Sequence, residues 1–389
     1  MATKPRLPRG RQFFANPGPT NIPDSVLHAV AHVTIDFNDP AFIKVYEKCV
    51  AGLKRVLKTN QQIFMYTGSG HAAWEASLVN LFSPGDKLAI IETGHFSQNW
   101  AQMAEDLSLE VQTIGADWRR GLDFATLRAT LAADKTHSIK AVCAVHNETA
   151  TGMELPLKQV RAVMDEVGHP ALLLSDTISS LASLDFRMDE WGVDVAVGGS
   201  QKGLMLPTGM SFTGVSAKAM EAHKTSRLPK SYLSWTNMLT RKHKSFVGTV
   251  PTSFFYGLQE SLRLLEEEGL DQVFARHSRL AEAVRRGIGD DFRFMVDANH
   301  CYTTSDAFEV GRALEDLDAY WFEEPIAPED LQGYRELRAG LNVNISGGEA
   351  EFNRWGWRSL LESRGLDIAQ PEVCALGGIS EYLRVLALC

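Results

Sequence analysis

Lys202 is the first residue with chemistry to offer. It follows an apolar alternating run, Val193 to Val197, and stands in the loop Ser200-Gln201-Lys202-Gly203 just after Gly198-Gly199. The run reads as a buried strand, and a group past the carboxyl end of such a strand sits where open α/β sheets take their ligands. A lysine partly removed from water holds its proton less tightly and can condense with an aldehyde. On this stretch alone an ordinary surface lysine beside a glycine turn is the better account. The rest of the chain changes that balance.

Thr67-Gly68-Ser69-Gly70-His71-Ala72-Ala73-Trp74-Glu75 runs from a strand through a glycine turn into a helix of good formers. The free N–H groups at such a helix start make an anion site suited to a phosphate. It lacks the lysine of a Walker loop, so ATP is not the natural ligand. Asp176 closes the buried run Ala171 to Ser175, Phe96 and His95 follow a strand over Lys87 to Glu92, and His146 ends a strand from Lys140 with Thr149 just beyond it.

The elements that must position these residues alternate. Strands are expected over Gln62–Tyr66, Lys87–Glu92, Glu110–Ile114, Lys140–His146 and Ala171–Ser175. Helices are expected from Asp24, which looks like an N-cap, over Phe42–Leu57, Ser97–Leu107, Leu122–Leu131, Leu157–Val167 and Tyr256–Glu268. Such alternation predicts an α/β fold with a mostly parallel sheet covered on both faces. The candidates then gather at the strands' carboxyl ends. A phosphate cradle, an aromatic plate, an acid and a lysine are what pyridoxal phosphate requires: the acid keeps the pyridine nitrogen protonated and the lysine holds the aldehyde as an imine. Each has a plainer account. Asp176 can cap a helix start at Thr177-Ile178, Phe96 can be core, and His146 can be a buried, satisfied histidine.

With 389 residues, the chain is long enough for two or three domains. A net charge of -9 argues against nucleic acid as the main partner. The first residues, MATKPRLPRGRQFF, are basic without an apolar core, so no signal peptide is expected, and no apolar run approaches a membrane span. Cys49, Cys143, Cys301, Cys374 and Cys389 are scattered without CxxC spacing, which suggests reduced thiols and a cytoplasmic enzyme. The basic run RKHK at 241–244 reads as a solvated loop.

Residues 10 to about 275 resemble a class V, fold-type I pyridoxal-phosphate aminotransferase of the alanine/serine–glyoxylate branch. The matching motifs are NPGPT at 16–20, TGSGHAAWE at 67–75, TGHFSQNW at 93–100, HNETATG at 146–152, SDTISSL at 175–181 and GSQKG at 199–203. The resemblance implies that Lys202 carries the cofactor as an imine and Asp176 pairs with the pyridine nitrogen. Phe96 would take the ring-stacking position, Ser69, Gly70, His71 and Gln201 would surround the phosphate, and Thr149 would lie near ring and substrate. Thr249, in GTVPT, matches a position that reaches the partner subunit's phosphate, implying a homodimer. Phe246 stands where some relatives have a phosphate-binding tyrosine. The implied reaction moves an amino group from a small amino acid (serine, alanine or aspartate) to glyoxylate or a similar 2-oxo acid.

The last quarter departs from that pattern. A class V enzyme would continue with a small domain holding an arginine for the substrate carboxylate, and no such pattern is legible. From about residue 279 the text resembles part of the barrel of the mandelate racemase branch of the enolase superfamily: DDFRFMVDANHCY, AYWFEEPIAPEDLQGY, NISGGEA and LDIAQPEVCALGGISEY. By that resemblance Asp297, Glu323 and Glu349 match three magnesium carboxylates, 26 residues apart at each step from 297 to 323 to 349. Equal steps are what successive βα units give, each with an acid at one rim, and hard oxygens suit Mg²⁺. Yet residues 291–389 number only 99, against about 250 for a full barrel. The expectation is therefore an aminotransferase domain over 1–278 fused to a partial half-barrel over 279–389, whose acids are relics of a recombination. Two alternatives stay open: a magnesium-dependent racemase or dehydratase, and a fusion that only binds pyridoxal phosphate.

Overall fold

A computed structural model describes residues 17–118, 121–241, 246–288 and 295–389. The basic N-terminal stretch, Asn16 of NPGPT and residues 242–244 of the RKHK run lie outside the described residues. The chain divides into two compact units, residues 1–281 and 282–389, with the division inside the helix Leu270–Ile288. The boundary expected at 278/279 falls in the same helix. Among the described residues no helix is long and apolar enough to cross a membrane.

The first unit is built on β1 (Gln62–Thr67), β2 (Lys87–Glu92), β3 (Glu110–Gly115), β4 (Ile139–Val145), the short ribbon β5 (Asn147–Glu148) and β6 (Met153–Glu154), β7 (Leu172–Asp176), β8 (Val195–Gly199) and β9 (Met210–Val215). Seven of these form one sheet in the order β1-β9-β8-β7-β4-β2-β3. All its pairs are parallel except those of β9, which runs antiparallel to both neighbours. Successive side chains along a strand point to opposite faces, and here both faces are dry. Ile63, Ala89, Val142, Leu173 and Ala196 join one core, while Phe64, Ile90, Cys143, Leu174 and Val197 join the other. Burial on both sides is why these strands read as near-continuous apolar runs.

The one reversed strand was not legible as a strand in the sequence, and it matters. Antiparallel neighbours need no crossover helix, so β8 returns directly into β9 through residues 200–209. That connection carries Lys202. It is folded by its own bonds: Ser200 N donates to Met210 O (2.9 Å), Ser200 Oγ to Pro207 O (2.7 Å) and Leu206 N to Ser200 O (3.0 Å).

Two expectations need correction. The first helix spans Asp24–Val30 with Pro23, not Asp24, at the N-cap, and no side chain caps it. The second begins at Pro40, two residues before Phe42. Proline suits the first helical position because its missing N–H has no partner to lose there, and Asp39 Oδ1 accepts from Ala41 N at 2.7 Å.

The second unit holds β10 (Met295–Asp297), β11 (Trp321–Glu323), β12 (Asn344–Gly347) and β13 (Ile368–Ala369), parallel and in sequential order. Helices Thr304–Asp316, Leu331–Gly340 and Arg354–Ser363 fall between successive strands. With the helix Ile379–Leu386 after the last strand, this makes four βα steps of the kind that an eight-stranded barrel repeats, with Phe322, Ile345, Tyr334 and Leu337 in its core.

Candidate active site

Lys202 is held from the other end of the unit's sequence. Its Nζ donates to Pro17 O at 3.0 Å, Thr20 N donates to Gln201 O at 3.0 Å, and Thr20 Oγ1 donates to Lys202 O at 3.2 Å. A Cβ on Gly18 would lie 2.6 Å from Lys202 Nζ, so only glycine lets the segment pass this close. Burial lowers the proton affinity of the amine, and Asp176 opposes that shift. Gly203, next along, packs so that a Cβ would run into the Leu181 carbonyl oxygen. Backbone cannot yield as a side-chain tip does, so Gly203→Ala is expected to cost about 1–3 kcal/mol by overpacking, read as a lower thermal midpoint.

Asp176 ends β7 and is buried, 4% exposed. Trp74 Nε1 donates to its Oδ2 at 3.0 Å and Ile178 N to its Oδ1 at 2.7 Å. No helix follows directly on Asp176, so the helix-capping role weighed for it is absent; the Ile178 bond closes a turn beside the cavity. Burial raises its carboxyl to about 7, against the opposing pull of those two donors. A carboxylic acid poised at neutrality becomes fully ionised only when a cation meets it.

Ser69 is the N-cap of the helix Gly70–Leu81, and its side chain makes no capping bond. A Cβ at Gly70 would collide with Ile178 Cδ1. His71 packs on Trp74 with ring centroids 4.6 Å apart, and Trp74 meets Phe96 edge-on at 6.3 Å. Gln201 Oε1 is buried with no hydrogen-bond partner among the described residues. Thr149 Oγ1 lies 2.8 Å from Ser179 Oγ.

Gly70, His71, Trp74, Phe96, Asp176, Gln201 and Lys202 line one or both of two cavities that share Asn147, Ser179 and Lys202, whereas Ser69 and Thr149 line neither. The smaller, about 180 Å³, is walled by Gly70, His71, Phe96, Asp176, Gln201 and Lys202. The larger, about 660 Å³, extends from Lys202 to the helix Leu270–Ile288. Thr249 is exposed and lines neither. Phe246 packs in the core against Phe255. His146 is the satisfied buried histidine of the plainer account: its Nδ1 lies 2.8 Å from Ser180 Oγ, and burial lowers its proton affinity to about 4.

The residues present fit pyridoxal phosphate. Gly70 at a helix start that no side chain caps, the buried carboxyl of Asp176 poised at neutrality and the partly desolvated amine of Lys202 all line one hollow. Two contributors were not foreseen from the sequence. Trp74 stands one helical turn past Gly70 and orients Asp176. Glu148, fully buried, accepts from Phe96 N (3.1 Å), Ser97 N (3.2 Å) and Ala150 N (3.2 Å). It places a negative charge at the start of the helix His95–Asp106 and so fixes Phe96. Glu148→Gln is expected to lower stability by about 1–2 kcal/mol and to weaken cofactor retention, measured by denaturant unfolding and by dialysis of the loaded protein.

In the second unit Asp297 and Glu323 are register partners on β10 and β11. Asp297 Oδ1 accepts from Asn299 N at 2.9 Å, and Glu323 Oε2 from Trp321 Nε1 at 3.1 Å. Burial, then Glu324, Glu323 and Asp297, raise the proton affinity of Glu349. Among the described residues no three His, Cys, Asp or Glu side chains are grouped to hold a metal ion. The magnesium set is not assembled among the described residues.

The chain matches aminotransferase class V over residues 12–312 and enolase C-terminal domain-like over residues 266–389. It is 42% identical over 305 residues to an L-aspartate–glyoxylate aminotransferase of Paracoccus denitrificans (strain Pd 1222), covering 78% of this chain and 77% of that one. It is 41% identical over 282 residues to a serine–glyoxylate aminotransferase of Arabidopsis thaliana, covering 72% and 70%. A solved alanine–glyoxylate aminotransferase from Nostoc sp. superposes with a TM-score of 0.66 at 28% identity, over 90% of each chain.

Proposed function

The chain belongs to the class V aminotransferases, and on that premise we propose that it transfers the amino group of serine, alanine or aspartate to glyoxylate or a similar 2-oxo acid. The observation that carries this reading is the pairing of Lys202 and Asp176 on one cavity wall beside an uncapped helix start. Pyridoxal phosphate, when bound, supplies the electron sink that stabilises charge at the substrate α-carbon. Lys202, released when an amino substrate takes its place, would accept the substrate α-proton on Nζ and deliver it to the cofactor carbon on the far side of the nitrogen. Asp176, oriented by Trp74 and Ile178 N, would hold the proton on the ring nitrogen. Ser69, Gly70, His71 and Gln201 would hold the phosphate, Phe96 would cover the ring, and Thr149 would serve ring and substrate.

The proposed assembly is a homodimer in which Thr249 serves the partner's phosphate. Thr249 is exposed and lines neither cavity of its own chain, which supports that reading. Five free cysteines suit a reducing compartment, and the cytoplasm is the proposed location.

The test is incubation of the protein with pyridoxal phosphate, an amino-acid panel and glyoxylate, following glycine. Cofactor binding without glycine would leave a fusion that only binds it. Magnesium-dependent proton exchange at a carboxylate α-carbon, lost in Glu323→Gln, would instead assign the activity to Asp297, Glu323 and Glu349.

A further inference from the structure

We propose that Arg276, with His277 beside it, binds the α-carboxylate of both the amino donor and the oxo acceptor. This rests on the transaminase reading. The two substrates differ at the reacting carbon and in their side chains, and share a carboxylate one bond away. A carboxylate entering a cavity loses water and needs charged donors in its place.

The cavity of about 660 Å³ that Lys202 opens into lies wholly within the first unit. The cationic or protonatable side chains on its wall are Lys202, Arg276 and His277, and the acid is Glu154, itself mostly exposed. Lys202 is committed to the chemistry. Val273, Arg276 and His277 share one face of the helix Leu270–Ile288 by their spacing. Val273 is buried and lines the same cavity, which turns that face inward.

Glu268, the last residue of the helix Thr252–Glu268, fixes the guanidinium. Arg276 Nε donates to its Oε1 at 2.7 Å and Nη2 to its Oε2 at 3.0 Å. Two of five N–H donors are thereby used, and the planar fork keeps three others for a ligand. His277 Nδ1 lies 2.8 Å from Val273 O, which directs Nε2 elsewhere. Glu268 is a positioning residue and also a competitor for the incoming anion.

Both KM values and an unreactive ligand test this. In the pyridoxal-phosphate-loaded enzyme, Arg276→Ala should raise KM for donor and for glyoxylate together, about tenfold or more each. The change in kcat should be far smaller, and borohydride fixation of cofactor on Lys202 should be unchanged. The Kd of glycolate, which cannot accept an amine, should rise in parallel by calorimetry. Arg276→Lys should recover part of the loss. Glu268→Gln, which keeps Arg276, should lower both KM values and the glycolate Kd severalfold. A change in KM for one substrate only, or an unaltered glycolate Kd in Arg276→Ala with cofactor retained, would overturn the assignment. Failure of the wild-type protein to form glycine would sink the transaminase reading instead, while the glycolate titration still decides the anion site.

Discussion

Lys202→Ala is expected to abolish glycine formation from glyoxylate, a fall of at least about 10²–10⁴-fold for loss of the proton-transferring group alone. Borohydride reduction of the loaded wild-type protein should fix a pyridoxyl group on the peptide that contains Lys202, and the variant should yield none. The basis is physical. The amine is half-buried, burial depresses its proton affinity, and Pro17 O orients Nζ into the site. The fold should survive, because the loop is held by Ser200 and by Thr20 through backbone atoms that the substitution leaves in place. An adduct on a different lysine, or unchanged turnover in the variant, is the result that ends the proposal.

The second large effect belongs to Asp176→Asn. An amide cannot hold a proton on the ring nitrogen, so kcat should fall by about 10²–10⁴-fold. The carboxyl titrates near 7 in the folded protein against an ordinary value of 3.8. Between those pH values the folded cofactor-free protein binds the proton and the unfolded chain does not. Stability therefore declines as pH rises from about 4 to about 7, by at most about 4 kcal/mol for a shift of this size. The Asn variant should lose that slope and be the more stable cofactor-free protein at pH 8. Added pyridoxal phosphate should stabilise wild type more than the variant. Parallel urea melts of both proteins, with and without cofactor at several pH values, measure it, and identical slopes would remove Asp176 from the site.

The site was legible in the sequence where its constraints are local. Gly70, His71, Asp176, Gln201 and Lys202 each stand in a short glycine- or strand-bounded motif, and the structure puts them on one cavity. What the sequence hid is long-range. Glu148 reaches Phe96 across 52 positions, and no periodicity announces such a bond. β9 escaped because MSFTGV is buried at every position and mixes Ser, Thr and Gly with apolar residues, so neither alternation nor a plain apolar run marks it. Arg276 carries no local mark for the proposed carboxylate contact, because its place on the cavity wall depends on how the helix face with Val273 packs. The three strand-end acids were legible as an even spacing, yet spacing alone does not close side chains around an ion.

The tie between Pro17, Thr20 and the lysine loop spans 181 to 185 positions of sequence. Its consequence is one of timing during synthesis. The wall that seats the amine is translated first and waits through eight strands before its counterpart emerges, a contact of very high sequence separation and hence a late one in folding. A nascent chain that stops short of residue 202 carries other lysines but not the one this pocket would offer to an aldehyde. When the amine does appear, the carbonyl that receives it has long since left the ribosome.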